Sequence, residues 1–133
     1  MEYALKRSTD ADFERTAEAV EEALEAHGFA IVGVNDIHLT VAAKGFRVQP
    51  VRVYEVRDAE GLREFQATRR LPRAALASGR VSVFVEGDEV YVAALRPAVV
   101  SQMFPEAGLD EEAKRVEERL VEALNEALAS LGG

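Results

Sequence analysis

Residues 2–6 alternate polar and apolar, the period of a half-buried strand, and this predicts Tyr3 and Leu5 on the inward side. The period then lengthens. Phe13, Ala17, Val20 and Leu24 recur at helical spacing, opposite an acidic stripe of Glu14, Glu18, Glu21, Glu22 and Glu25. Thr9, with Asp12 three positions on, resembles a capping box with a shortened acid. His27 and Gly28 close the helix, glycine as a left-handed cap and the imidazole beside the negative helix end.

Residues 29–34 are almost continuously apolar and β-branched, which predicts a central strand. Asp36 is the expected N-cap of a short helix through Lys44, with Gly45 just past its end. After Pro50, residues 51–56 alternate again, with Val51, Val53 and Glu55 on one face and Arg52, Tyr54 and Val56 on the other. Asp58 is placed to cap a helix to about Thr68, anchored by Leu62 and Phe65 and weakened by Gly61; residues 69–79 read as a loop. Residues 81–86 and 89–95, joined by Gly87-Asp88, have the pattern of a β-hairpin. Pro97 opens a short helical piece toward Met103. A last helix over 110–131 carries an apolar stripe of Ala113, Val116, Leu120, Leu124, Ala127, Leu128 and Leu131, its acids Asp110, Glu111 and Glu112 gathered at the positive N-terminal end.

This order predicts an α+β fold: a two-layer sandwich whose mainly antiparallel sheet of about five strands is covered on one face by two long helices, with short extra helices. The opposite sheet face is left open. Tyr54, Phe84, Val85 or Tyr91 are expected to make it apolar enough to bury against a second copy, so the expected partner is a homodimer mate.

Composition narrows the picture. The 133 residues are 48% apolar and 30% charged, the balance of one globular domain spanning residues 1–133. Apolar runs are only a few residues long, so no membrane-spanning segment is expected; with no basic, apolar leader at Met1 the expected location is cytoplasmic. The absence of cysteine excludes disulfides, a catalytic thiol, iron–sulfur clusters and cysteine-bound zinc. A net charge of −8 argues against nucleic acid. The charge is uneven, however: residues 57–80 hold six arginines against three acids, a local +3, which suits either a solvated face or an anion.

Candidate chemistry is sparse. Neither a P-loop, a dinucleotide glycine fingerprint nor a nucleophile elbow occurs, so no cofactor is expected. His27 and His38 have no partner at a metal-ligand spacing, and no metal is expected. The one compact polar set in apolar surroundings is Asp36, His38, Thr40 and Lys44. A carboxylate and an ammonium on one side of a short helix suit either binding of a small anion or proton transfer by Asp36 or His38, with Lys44 or Arg57 holding an anionic substrate. A cap, a surface histidine and a snorkelling lysine account for the same residues.

The chain resembles the domain of unknown function 302 family of small bacterial and archaeal proteins. The resemblance is carried by Gly28-Phe29, the strand leading to Asp36-Ile37, Thr40, Lys44-Gly45, Arg52-Val53-Tyr54 and Leu95-Arg96-Pro97. It implies a β-α-β-β-β-β-type α+β domain, often dimeric, with no settled activity. Where family members typically carry Cys-Asn-Pro and Pro-Cys, this chain has Arg57-Asp58-Ala59 and Ser78-Gly79, so it reads as a cysteine-free, divergent or engineered member. Arg57 and Arg80 then suggest an anion-binding site in place of a thiol-lined one, and Asp36, Thr40 and Lys44 are the positions that carry over directly.

Overall fold

A computed structural model describes residues 2–68 and 76–132, the side chains of Phe65 and Thr68 excepted. Five strands, β1 (Ala4–Thr9), β2 (Phe29–Asp36), β3 (Val51–Asp58), β4 (Ser78–Glu86) and β5 (Glu89–Leu95), form one sheet in the order β1-β5-β4-β3-β2. Every neighbouring pair is antiparallel. β2, expected to be central from its near-continuous apolarity, is an edge strand: it is bulged between Ile31 and Gly33, which turns Val32 out to solvent and interrupts the flat edge that invites aggregation.

The helices with described bounds are α1 (Phe13–Ala26), α2 (Ile37–Ala42), α3 (Ala59–Thr68), α4 (Pro97–Met103) and α5 (Asp110–Gly132), with a 3-10 turn at Pro105–Ala107. α1 and α5 lie side by side over one sheet face, and their apolar stripes meet it in a single core. Leu24, Leu120 and Leu124 from the helices interlock with Tyr54, Val81, Val83 and Val92 from the strands. Burial of each such aliphatic side chain contributes roughly 1.5–3 kcal/mol. The expected α+β sandwich is therefore the fold of this chain. Among the described residues no helix is long and apolar enough to cross a membrane.

Several local expectations shift by a few residues. β1 begins at Ala4 and runs to Thr9, because Thr9 pairs with Val90; Tyr3 lies outside the strand and is 67% exposed rather than inward. The α1 cap moves with it: Asp12 is the N-cap, its Oδ1 accepting from the Arg15 N–H at 2.8 Å, while Thr9 accepts from Ala11 instead. α2 stops at Ala42, short of Lys44. Tyr54 and Val85 belong to the covered face, where Tyr54 is wholly buried, so of the four residues expected on the open face only Phe84 and Tyr91 are there. Of the predicted loop, residues 69–75 lie outside the described residues, and with them Arg69, Arg70 and Arg73 of the arginine-rich segment; the side chain of the Phe65 anchor is likewise not described, residues 76–77 are helical, and β4 already begins at Ser78.

Candidate functional site

Asp36 ends β2 at the register position facing Arg52 of β3. That cross-strand pairing brings the two side chains together, and Asp36 Oδ1 accepts from Arg52 Nε at 2.6 Å. Asp36 is the N-cap residue of α2 by position, but its side chain makes no capping hydrogen bond. Glu14 of α1 takes the other edge of the guanidinium at 3.3 and 3.4 Å, and the Phe13 ring stacks 5.2 Å from it. Burial opposes the Arg52 charge, but its hydrogen bonds to Asp36, Tyr54 and Glu14 outweigh that and hold the group well above its ordinary pKa. The guanidinium is saturated by protein carboxylates. Its role is to brace α1 against the β2–β3 edge.

His38 belongs to the same brace. Its Nδ1 lies 3.1 Å from the Val51 amide nitrogen and 3.2 Å from the Val51 carbonyl oxygen, and the ring meets Phe13 edge-on at 6.0 Å. Thr40 donates back to the Asp36 carbonyl at 3.5 Å. Lys44 is exposed in the turn after α2, and among the described residues its ammonium makes no ion pair. The structure thus gathers Asp36, His38 and Thr40, adds Arg52 and Glu14, and does not join Lys44 to Asp36. Below the brace, the Tyr54 hydroxyl donates to Glu21 at 2.8 Å; burial and that carboxylate push the phenol well above its ordinary pKa.

The two arginines separate. Arg57 and Arg80 both belong to the open sheet face, where Arg57 donates to the neighbouring Val56 carbonyl and Arg80 stands 3.7 Å from Glu55, its register partner. Of all the site residues expected from sequence, Arg80 alone lines one of the two principal cavities.

The larger cavity, about 460 Å³, opens at the end of the sheet where β4 starts. Phe29, Val56, Val81, Ala94 and Leu120 form its core side, and Leu76, Leu95, Pro97, Val100 and Tyr3 form its flanks. Ser78, Gly79, Ser82 and Ala93 are small, and the space exists because these strand positions carry little side-chain volume. The second cavity, about 350 Å³, lies beside it between α3 and α5 and is lined by Asp58, Glu60, Glu64, Glu112, Glu118 and Glu122 against Arg115 and Arg119. Among the described residues that line it, carboxylates outnumber arginines six to two.

Asp58, 4% exposed, belongs to the wall of both cavities. Its Oδ1 lies 2.6 Å from Arg119 Nη2; the contact is an ion pair without the alignment of a hydrogen bond. Arg119 also donates to the His27 carbonyl at 3.2 Å and stacks 5.0 Å from the Phe29 ring. Two glycines make room for this knot. A Cβ on Gly28, whose φ is +86°, would stand 2.8 Å from Arg119 Nη1, and one on Gly61 would stand 2.9 Å from Asp58 Oδ2. Gly61 weakens α3 by propensity, yet close approach of the Asp58 carboxylate requires it.

The sequence reading missed Arg52, Glu14, Asp58 and Arg119 as partners, since each contact joins separate elements. One signal was present: Asp36 closes one strand and Arg52 opens the next, and only the antiparallel register was needed to pair them.

A family model described as a domain of unknown function, DUF302, matches residues 5–127. The uncharacterised conserved DUF302 protein of Bacillus stearothermophilus has a crystal structure that superposes with a TM-score of 0.85 at 19% identity, covering 96% of this chain and 99% of that one. At that identity the likeness shows the fold. A protein of Thermus thermophilus, 11% identical over 96% of this chain and 97% of its own, reaches a TM-score of only 0.30. No curated protein matches the chain.

Proposed function

We propose a function from one premise, that the chain belongs to the DUF302 family: it is a small cytoplasmic binding module whose ligand occupies the cleft at the end of the sheet. The observation that carries this is the cleft itself. At about 460 Å³ it falls within the roughly 300–1,000 Å³ typical of small-molecule sites, and among the described residues its lining is apolar except for two serines and the charges of Asp58 and Arg80. Water in such a space makes few hydrogen bonds, so an apolar ligand body gains from displacing it.

The alternative, an acid–base enzyme built on Asp36, His38 and Lys44, draws less support from the geometry. A proton-transfer pair must face a common substrate, whereas Asp36 is engaged by Arg52 and His38 by the Val51 amide. Neither cavity described above is lined by any of the three.

The test is titration with a neutral, environment-sensitive dye, Nile red, followed by its fluorescence and by amide chemical shifts. Shifts clustered on Val81, Ala94, Val100 and Leu120, and abolished by Ala93→Trp at the cleft mouth, support the reading. Absence of dye binding, or shifts confined to the α2 end of the molecule, overturns it. A thermal melt of the Ala93→Trp protein separates blockage from unfolding.

A further inference from the structure

We infer that the molecule taken up by the cleft carries a single anionic group, read by Arg80; this rests on the cleft being the ligand site. Among the described residues, only two that line it are formally charged, Asp58 and Arg80. Asp58 is buried and already neutralised by Arg119 at 2.6 Å. The charge left for a ligand is therefore positive.

Arg80 is also the one that is cheap to recruit. Its pairing with Glu55 is 3.7 Å long, and the two side chains are 73% and 46% exposed. So long and exposed a pair holds its partners only weakly. A ligand carboxylate at the cleft rim offers the guanidinium two parallel N–H···O bonds, shorter and better aligned than the contact it replaces. An ammonium at the same place meets a like charge in Arg80 and finds the Asp58 carboxylate taken. The acidic cavity beyond Asp58 carries its own arginines, Arg115 and Arg119, and apart from Asp58 none of its carboxylates is among the described residues that line the cleft. Solvent screens charges beyond roughly 8–10 Å, which limits what the chain's net charge of −8 costs an incoming anion.

Arg57, the other arginine singled out in the sequence, is not among the cleft residues. The ligand class is thus an amphipathic monoanion with an apolar body, such as a medium-chain carboxylate.

Decanoate, decanol and decylammonium, each kept below its micelle concentration, are titrated against the whole chain by Nile red displacement. Decanoate is expected to bind about tenfold more tightly than decanol, with decylammonium weakest and the decanoate advantage shrinking in high salt. Arg80→Gln brings decanoate down to the affinity of decanol, Arg80→Lys keeps part of the advantage, and Glu55→Gln enlarges it. If decanol binds as tightly as decanoate, if decylammonium binds tightest, or if Arg80→Gln leaves the ratio unchanged, the charge assignment fails while the cleft remains the ligand site. If none of the three displaces the dye and the dye itself does not bind, the cleft reading fails first.

Discussion

Tyr54 and Arg119 show how much of this molecule is decided by single polar groups in apolar places. The Tyr54 phenol is held neutral by burial and by the Glu21 carboxylate, so its folded-state pKa lies above the ordinary value of about 10. A raised pKa means that the native state keeps its proton longer than the unfolded chain does. The stabilisation is therefore complete below about pH 10 and is lost as pH rises through the folded-state value. Tyr54→Phe should flatten the alkaline limb of a stability–pH curve measured by urea unfolding, at the cost of roughly 1 kcal/mol at neutral pH for the lost hydrogen bond. An unchanged alkaline limb would contradict this account. Arg119 raises the converse issue, a buried charge left alone. Arg119→Met strands the Asp58 carboxylate and should cost about 3 kcal/mol, the low end for a broken buried pair, since the guanidinium is 29% exposed. Adding Asp58→Asn should restore much of that loss, a coupling that a double-mutant cycle in urea measures directly.

Elements are joined here by small residues as much as by large ones. Ala17 of α1 and Ala123 and Ala127 of α5 are fully buried in the shared core, and their lack of bulk is what permits close packing. Ala123→Leu should therefore destabilise the fold by roughly 1–3 kcal/mol through overpacking, even though it improves the apolar stripe. The start of α1 offers a gentler test. Asp12 caps it through the Arg15 amide in a solvent-exposed setting, so Asp12→Ala should lower stability by about 0.5–1 kcal/mol in chemical denaturation. The same substitution at Asp36 would behave differently: it removes the partner of Arg52 rather than a helix cap.

At the scale of the whole molecule the open sheet face is what the fold leaves unfinished. Phe84 and Tyr91 stack there at 5.6 Å, and Lys6 sits 4.6 Å above the Tyr91 ring. The sequence reading expected this face to join two copies of the chain, an expectation that a solution measurement tests. Sedimentation equilibrium should show a dimer that Phe84→Glu converts to monomer without loss of helical signal, and a monomeric wild type at high concentration would remove the expectation. The sequence alone determined the elements, because hydrophobic period is a local property: the helix of Phe13, Ala17, Val20 and Leu24, the Gly87-Asp88 hairpin and the two-layer sandwich all followed from it. It also marked Arg80 as a cation worth watching. The rest depended on contacts between distant positions. Which strand edge faces which is a matter of register, and register sent Asp36 to Arg52 instead of Lys44. A cleft has no sequence signature at all, since it is the volume that small side chains on several elements fail to fill, and only the assembled chain brings Gly79, Ala93, Val100 and Leu120 around one space.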